Sequence, residues 1–169
     1  MQKIYIGIDN GVTGSIGIIY DKTEKYDLIQ TPFKKELLYT KEKQHISRLC
    51  FDKFFNILNK LKYEGNCKIM LEYPYSNKTN NKALRSGLRC FEAQLIVIEQ
   101  LNFKKKKIEY IQAREWQALY LAGIKGRENL KQVSKEYGCL MFPEIKDKIS
   151  KYKDADGLFI AKYLREKNI

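Results

Sequence analysis

Apolar and polar residues alternate from Lys3 to Tyr20, KIYIGIDNGVTGSIGIIY, with Ile4, Ile6 and Ile8 on one face and Lys3, Tyr5 and Gly7 on the other. A period of two predicts a half-buried strand, and it delivers Asp9 on the face opposite the isoleucines. Asn10-Gly11 and Gly14 turn the chain into a second strand, Ser15 to Tyr20, and Lys25 to Gln30 makes a third, which Pro32 ends. The period then changes. Ile46, Leu49, Cys50, Phe54, Ile57, Leu58 and Leu61 recur at helical spacing, predicting a first amphipathic helix from Gln44 to Lys62 with Gly65 as its stop. Cys67 to Glu72 predicts a fourth strand, with Ile69 and Leu71 on one face and Met70 and Glu72 on the other.

Tyr73 to Asn81 is polar and contains Pro74, which predicts a loop. A second helix follows from Ala83 to Leu101, where Leu88, Phe91, Leu95, Ile98 and Leu101 form a stripe that Ile96 and Val97 widen until it is nearly buried all round. Ile108 to Ile111 is a fifth strand. Short helices over Arg114 to Leu121 and Glu128 to Tyr137 come next, separated by Gly123 and Gly126. Phe142-Pro143 breaks the chain, a lysine-rich loop follows, and a last helix runs from Asp154 to Glu166. Three strands in a meander and then strands alternating with helices predict an α/β fold: a mixed five-stranded sheet, antiparallel meander 1-2-3 and then parallel strands 4 and 5, with helices on both faces.

At 169 residues the chain is expected to form a single domain, 1–169. Its Lys+Arg count of 32 against 20 Asp+Glu gives a net charge of +12, which favours a polyanionic partner. Lys, Ile, Asn and Tyr are all plentiful, as AT-rich coding favours, so the distribution of charge says more than its sum. Lys78, Lys82, Arg85 and Arg89 cluster in one segment, Lys104 to Lys107 in another, and Lys146, Lys148, Lys151 and Lys153 in a third. One such run is ordinary solvated surface, whereas three beside acidic positions favour a phosphate-binding rim. No apolar run is long enough to span a bilayer, no lipidation motif is present and no signal peptide is expected. Cys50, Cys67, Cys90 and Cys139 form no CxxC pair and His45 is the single histidine, so neither zinc nor a disulfide framework is expected and a cytoplasmic location fits.

Where the fourth strand lies parallel to the first, Asp9 and Glu72 emerge as neighbours. Adjacent carboxylates repel unless a cation lies between them, and Mg²⁺, a hard ion that prefers oxygen, serves in many phosphoryl-transfer sites. Asp154 and Asp156 stand at the first turn of the last helix, where capping and compensation of the helix dipole are the alternative to ligation. For Asp9 the alternative is a turn aspartate.

The order of these residues, Asp9 in IGIDNGVTG, Glu72 in IMLEYPY and Asp156 in DADGLFIA, resembles that of the RuvC-like Holliday-junction resolvases of the RNase H-like superfamily. Within it the plastid and phage branch is most similar, and the resemblance extends through Gln112 to Trp116 and the LMFP segment, Leu140 to Pro143. It implies an RNase H-like fold in which Asp9, Glu72 and Asp156 are the catalytic, metal-binding carboxylates. The family usually has an Asp or His three or four residues before the final aspartate, where this chain has Lys153 and Tyr152. Asp154, two residues before it, joins the set only if the helix begins at or after it. The implied activity is a structure-selective endodeoxyribonuclease that resolves four-way DNA junctions with two Mg²⁺ ions per site and Mn²⁺ as a substitute. The implied partner is branched DNA.

Tyr73 and Tyr75 are candidates to wedge into the junction centre, where stacking on a base is worth about 1–3 kcal/mol, against the alternative that both pack on the sheet. Lys78, Lys82, Arg85 and Arg89 are candidates to track a DNA arm, and Lys151 and Lys153 to hold phosphates near the carboxylates. Trp116 is expected in the core, and His45, on the first helix, at the surface or in the core. A two-fold symmetric junction needs paired nicks, which implies a homodimer with the second helix as candidate interface. The expected setting is the cytoplasm of a phage-infected or low-GC bacterial cell, with an organelle as the alternative. Three rivals share the residues: the phosphate hairpin of actin-like sugar kinases and Hsp70-type ATPases, an RNase H-like or YqgF-like RNA nuclease, and a basic RNase H-like module without catalysis.

Overall fold

Glycines on β-strands let a helix backbone approach a sheet to direct contact, and the alternation of isoleucine with glycine in this chain uses that. A computed structural model describes residues 2–37, 44–74, 81–103 and 108–167, with Asn81, Lys82 and Arg127 by backbone alone. Its strands are Lys3–Ile8 (β1), Ser15–Tyr20 (β2), Lys25–Gln30 (β3), Phe33–Leu37 (β4), His45–Leu49 (β5), Asn66–Glu72 (β6) and Ile108–Ile111 (β7). Its helices are Phe51–Glu64 (α1), Asn81–Gln100 (α2), Ala113–Tyr120 (α3), Arg127–Met141 (α4), Lys146–Ile149 (α5) and Asp156–Glu166 (α6).

The main sheet has the order β3-β2-β1-β6-β7, with the meander antiparallel and β1, β6 and β7 mutually parallel. This is the mixed five-stranded sheet the hydrophobic pattern predicts. β1 is buried on both faces, however, and not on one. Ile4, Ile6 and Ile8 join Ile69, Leu71, Phe54, Leu58 and Val97 in a layer under α1 and α2. Tyr5 and Met70 point the other way, into a layer built by α6, Trp116 and Phe142. Each of these fully buried large side chains contributes about 1.5–3 kcal/mol.

The first helix begins later than predicted. Residues 45–49 form β5, which pairs antiparallel with β4 as a separate two-stranded sheet, Glu36 opposite Ile46 and Lys34 opposite Arg48. Ile46, Leu49 and Cys50 therefore lie outside α1, and His45 is an exposed strand residue. Over so short a run apolar positions alone do not separate a helix from a strand, and what decides here is the pairing with Phe33–Leu37. α2 is less enclosed than its composition suggests: Ile96 is 48% exposed, and Arg85, Leu88, Arg89 and Glu92 share its open side. The lysine-rich loop after Pro143 contains a 3-10 turn, Pro143–Ile145, and α5. Lys104 to Lys107 lie outside the described residues.

α6 lies directly on β1 and β2. A Cβ added at Gly7 would fall 2.2 Å from Ala161 N, and one at Gly17 2.2 Å from Gly157 C. The Gly157 N–H donates to Ser15 Oγ at 3.1 Å, tying the first turn of α6 to β2. Gly17→Ala is accordingly expected to force α6 off the sheet and to cost about 3 kcal/mol or more, read as a lower urea midpoint. An unchanged midpoint would show that the helix can shift freely.

Candidate metal centre

Period-two alternation continues past the strand ends, so Asp9 leaves β1 and Glu72 ends β6 on the face that carries α6. Their strands are parallel with Ile8 opposite Leu71, which brings the two carboxylates to the same end of neighbouring strands. The turn after Asp9 is closed by Asp9 N–H to Ser15 O at 2.9 Å and Gly14 N–H to Gly11 O at 3.0 Å. Asn10 anchors it to α2 by donating from Nδ2 to Gly87 O at 3.2 Å.

α6 begins at Asp156 with Ala155 as its N-cap, so Asp154 precedes the helix and its side chain is not bound to the helical spacing. Ligand oxygens of Asp9, Asp154 and Asp156 all lie within 4.8 Å of one another, and Asp154 is buried. Asp156 N–H also reaches Asp154 Oδ1, at 3.4 Å, so Asp154 retains a weak capping contact. Glu72 stands outside this tightest set. The indole of Trp116, fully buried and stacked on Phe159, donates to Glu72 Oε2 at 2.8 Å.

Two neighbours of the carboxylates come from α4 and carry no mark in the sequence pattern. Lys131 Nζ donates to Asp154 Oδ2 at 2.7 Å, and Ser134 Oγ donates to Asp156 Oδ1 while accepting the Ala155 N–H at 3.2 Å. Their spacing of three along a helix is the available signal, but nothing local shows that this helix face meets the start of α6. Trp116 lies in the core as expected, and its hydrogen bond to Glu72 is an added role.

Electrostatics at the cluster are unfavourable without a cation. Burial, then Glu72, Asp156 and Asp154, push Asp9 well above the usual carboxylate range against the pull of Lys131. Glu72 is pushed up to about 7 by burial, with Asp154 adding to it and the Trp116 hydrogen bond and Lys131 opposing. Asp156 also reaches about 7, through burial and Asp154, against the hydrogen bond from Ser134 and the charge of Lys131. Burial pulls Lys131 down, but Asp154, Asp9 and Asp156 outweigh it and hold its ammonium above the ordinary lysine value. One lysine does not balance four carboxyl groups. An all-oxygen donor set of this charge suits a hard divalent cation such as Mg²⁺.

Beside the cluster lies a cleft of about 490 Å³, bordered by Thr13, Glu128, Lys131, Lys135, Lys151 and Lys153. Lys151 and Lys153, together with Lys135, line the same cleft as Lys131, whose ammonium reaches Asp154. Arg85 and Arg89 lie exposed along α2. Tyr73 is 51% exposed yet packs edge-on against Phe91 with ring centroids 5.0 Å apart, so it combines the packed and the open alternatives. Tyr75, Lys78 and the side chain of Lys82 lie outside the described residues. All four cysteines are free, and no helix among the described residues is long and apolar enough to cross a membrane.

No family model matches the chain, and no curated protein matches it. Among solved structures it is similar to Thermus thermophilus RuvC in complex with a Holliday junction substrate, with a TM-score of 0.51 and 11% identity over 98% of this chain and 96% of that one. A second Thermus thermophilus RuvC structure is similar over the same shares at 11% identity and a TM-score of 0.43. The first of these shows that the two chains share a fold, a mixed five-stranded α/β sheet of the RNase H-like class.

Proton uptake and metal affinity both depend on this geometry. Glu72 and Asp156 keep their protons to about 7 when folded, against ordinary values of 4.5 and 3.8, so folding takes up protons between those limits. The stability they contribute is present below about 4 and is lost as pH rises through 7. Without metal the urea midpoint is expected to fall from pH 5 to pH 8, and saturating Mg²⁺ to restore it mainly above pH 7. A flat profile would contradict the desolvated cluster. Trp116→Phe, which removes the donor to Glu72 and keeps a ring, is expected to weaken Mg²⁺ binding about 10–100-fold, read by titration calorimetry.

Proposed function

We propose that the chain is a structure-selective endodeoxyribonuclease, a single RNase H-like domain spanning 1–169, that resolves four-way DNA junctions by paired, metal-dependent phosphodiester hydrolysis. The observation that carries this reading is the convergence of Asp9, Asp154 and Asp156 within 4.8 Å beside a cleft bearing four lysines. Carboxylates packed this tightly need cations, and lysines at their edge suit a backbone of phosphates. The sequence resemblance to the plastid and phage branch of the resolvases, the RuvC-like fold and the net charge of +12 support the same reading.

In this reading Asp9, Asp154, Asp156 and Glu72 hold two Mg²⁺ ions, for which Mn²⁺ substitutes. Bound there, such ions supply an activated water and stabilise charge on the phosphoryl oxygens. Trp116 and Ser134 orient Glu72 and Asp156, each through one hydrogen bond to a single carboxylate oxygen, which leaves the other oxygen for a ligand. Lys131 neutralises Asp154 until the metal does, and Lys135, Lys151 and Lys153 hold phosphates of the cut strand. Tyr73 offers a half-exposed ring one residue from Glu72 for stacking on an unpaired base.

Paired nicks call for a homodimer. The candidate interface is α2, on which Leu88 is an exposed apolar residue. The location consistent with all this is the cytoplasm of a phage-infected or low-GC bacterial cell, or an organelle.

Cleavage of a mobile four-way junction in Mg²⁺, compared with duplex, flap and RNA/DNA hybrid, tests the assignment. Symmetric nicks confined to the junction are expected, and equal cutting of every substrate would leave a general nuclease. Asp9→Asn and Asp156→Asn are each expected to lower junction cleavage by at least about 10²-fold. Asp154→Asn should do likewise, and full activity in that variant would reduce Asp154 to a residue that starts the helix.

A further inference from the structure

The turn that follows Asp9 divides two basic clefts. Thr13 borders the lysine cleft beside the carboxylates, while its neighbour Val12 borders a second cleft of about 460 Å³ on the other side. One wall of this second cleft is β5, with Ser47 and Arg48, and the other is α2, with Ser86, Arg89 and Glu92. Residues 45–49 form that wall as the strand paired with β4.

Its chemistry suits an anion. Arg48 has one long ionic contact, Nε to Glu36 Oε2 at 3.9 Å, beyond hydrogen-bond distance. Arg89 enters no ion pair among the described residues. Guanidinium groups match phosphate oxygens in a bidentate fork, and serine hydroxyls add donors, so two arginines and two serines outweigh the single carboxylate of Glu92. One strand crossing the carboxylates is already served by the lysine cleft. A second anion cleft separated from it by a single turn is placed for another backbone.

We infer that the cleft between β5 and α2 is a subsite for a second nucleic-acid backbone, so that the Asn10–Gly14 turn sits between two phosphate tracks and the substrate is gripped by both. The inference rests on the nuclease reading and specifies its substrate: a duplex or branched nucleic acid rather than a single strand. Removing one arginine–phosphate pairing lowers the slope of log affinity against log salt by about one unit.

The test is fluorescence anisotropy in EDTA across a salt series, with a labelled four-way junction and a labelled single-stranded oligonucleotide. Arg48→Gln is expected to weaken junction binding several-fold and to lower its salt slope by about one unit, with a smaller change on the single strand. Arg48→Lys should recover the slope. If Arg48→Gln proves unfolded by circular dichroism, Arg89→Gln, on the exposed side of α2, is read in the same way. An unaltered junction slope, or an equal fall on both probes, overturns the second track. The nuclease reading is separately gauged by the wild-type chain: junction cleavage with an unaltered Arg48→Gln slope sinks the subsite alone, whereas a wild-type chain that neither binds nor cuts nucleic acid sinks both.

Discussion

The contact on which the site depends is between backbones. Gly7 and Gly17 leave no side chain between the sheet and α6, and Gly157 leaves none on the helix, so α6 sits lower on β1 and β2 than an ordinary helix-on-sheet packing permits. That closeness brings the start of α6 level with the end of β1. Asp154 and Asp156 reach Asp9 because the two elements meet at this height, and Ser15 fixes it with a hydrogen bond to the Gly157 N–H.

Closeness has an electrostatic cost. Carboxyl groups desolvated together raise one another above their ordinary range, and the protein offsets this only in part: Lys131 neutralises Asp154, Ser134 donates to Asp156 and Trp116 to Glu72. Each offset comes from α3 or α4, so these helices orient the carboxylates as well as cover the sheet. An acid cluster held this firmly and compensated this incompletely favours any divalent cation that enters, since binding releases repulsion that folding had stored.

Positive charge is organised around that cluster. Lysines from α4 and from the segment before α6 gather on one side of the β1–β2 turn, and arginines from β5 and α2 on the other. A net charge of +12 spread evenly would attract any polyanion weakly. Collected into two concave tracks beside the carboxylate cluster, it would suit the phosphate backbone proposed above better than an evenly spread charge.

Local pattern was enough for the sheet and for two of its carboxylates. Alternation in β1 and β6 sets the faces of Asp9 and Glu72 because a strand's period is two whatever surrounds it. The same reasoning failed at residues 44–50, where Ile46, Leu49 and Cys50 fit a helical stripe but residues 45–49 pair with β4, a choice made by the partner strand. It also left Asp154 undecided, because only the start of α6 at Asp156 frees its side chain from helical spacing. Lys131, Ser134 and Trp116 carry no sign in the chain of what they do, since each acts on a carboxylate at least 22 positions away. Which residues alternate, which segments coil and which acids end strands follow from backbone geometry within a few residues, and all of that is legible along the chain. Which charges meet is not, because the desolvation and Coulomb energies that make the site arise only where α4, α6 and the sheet close on one another.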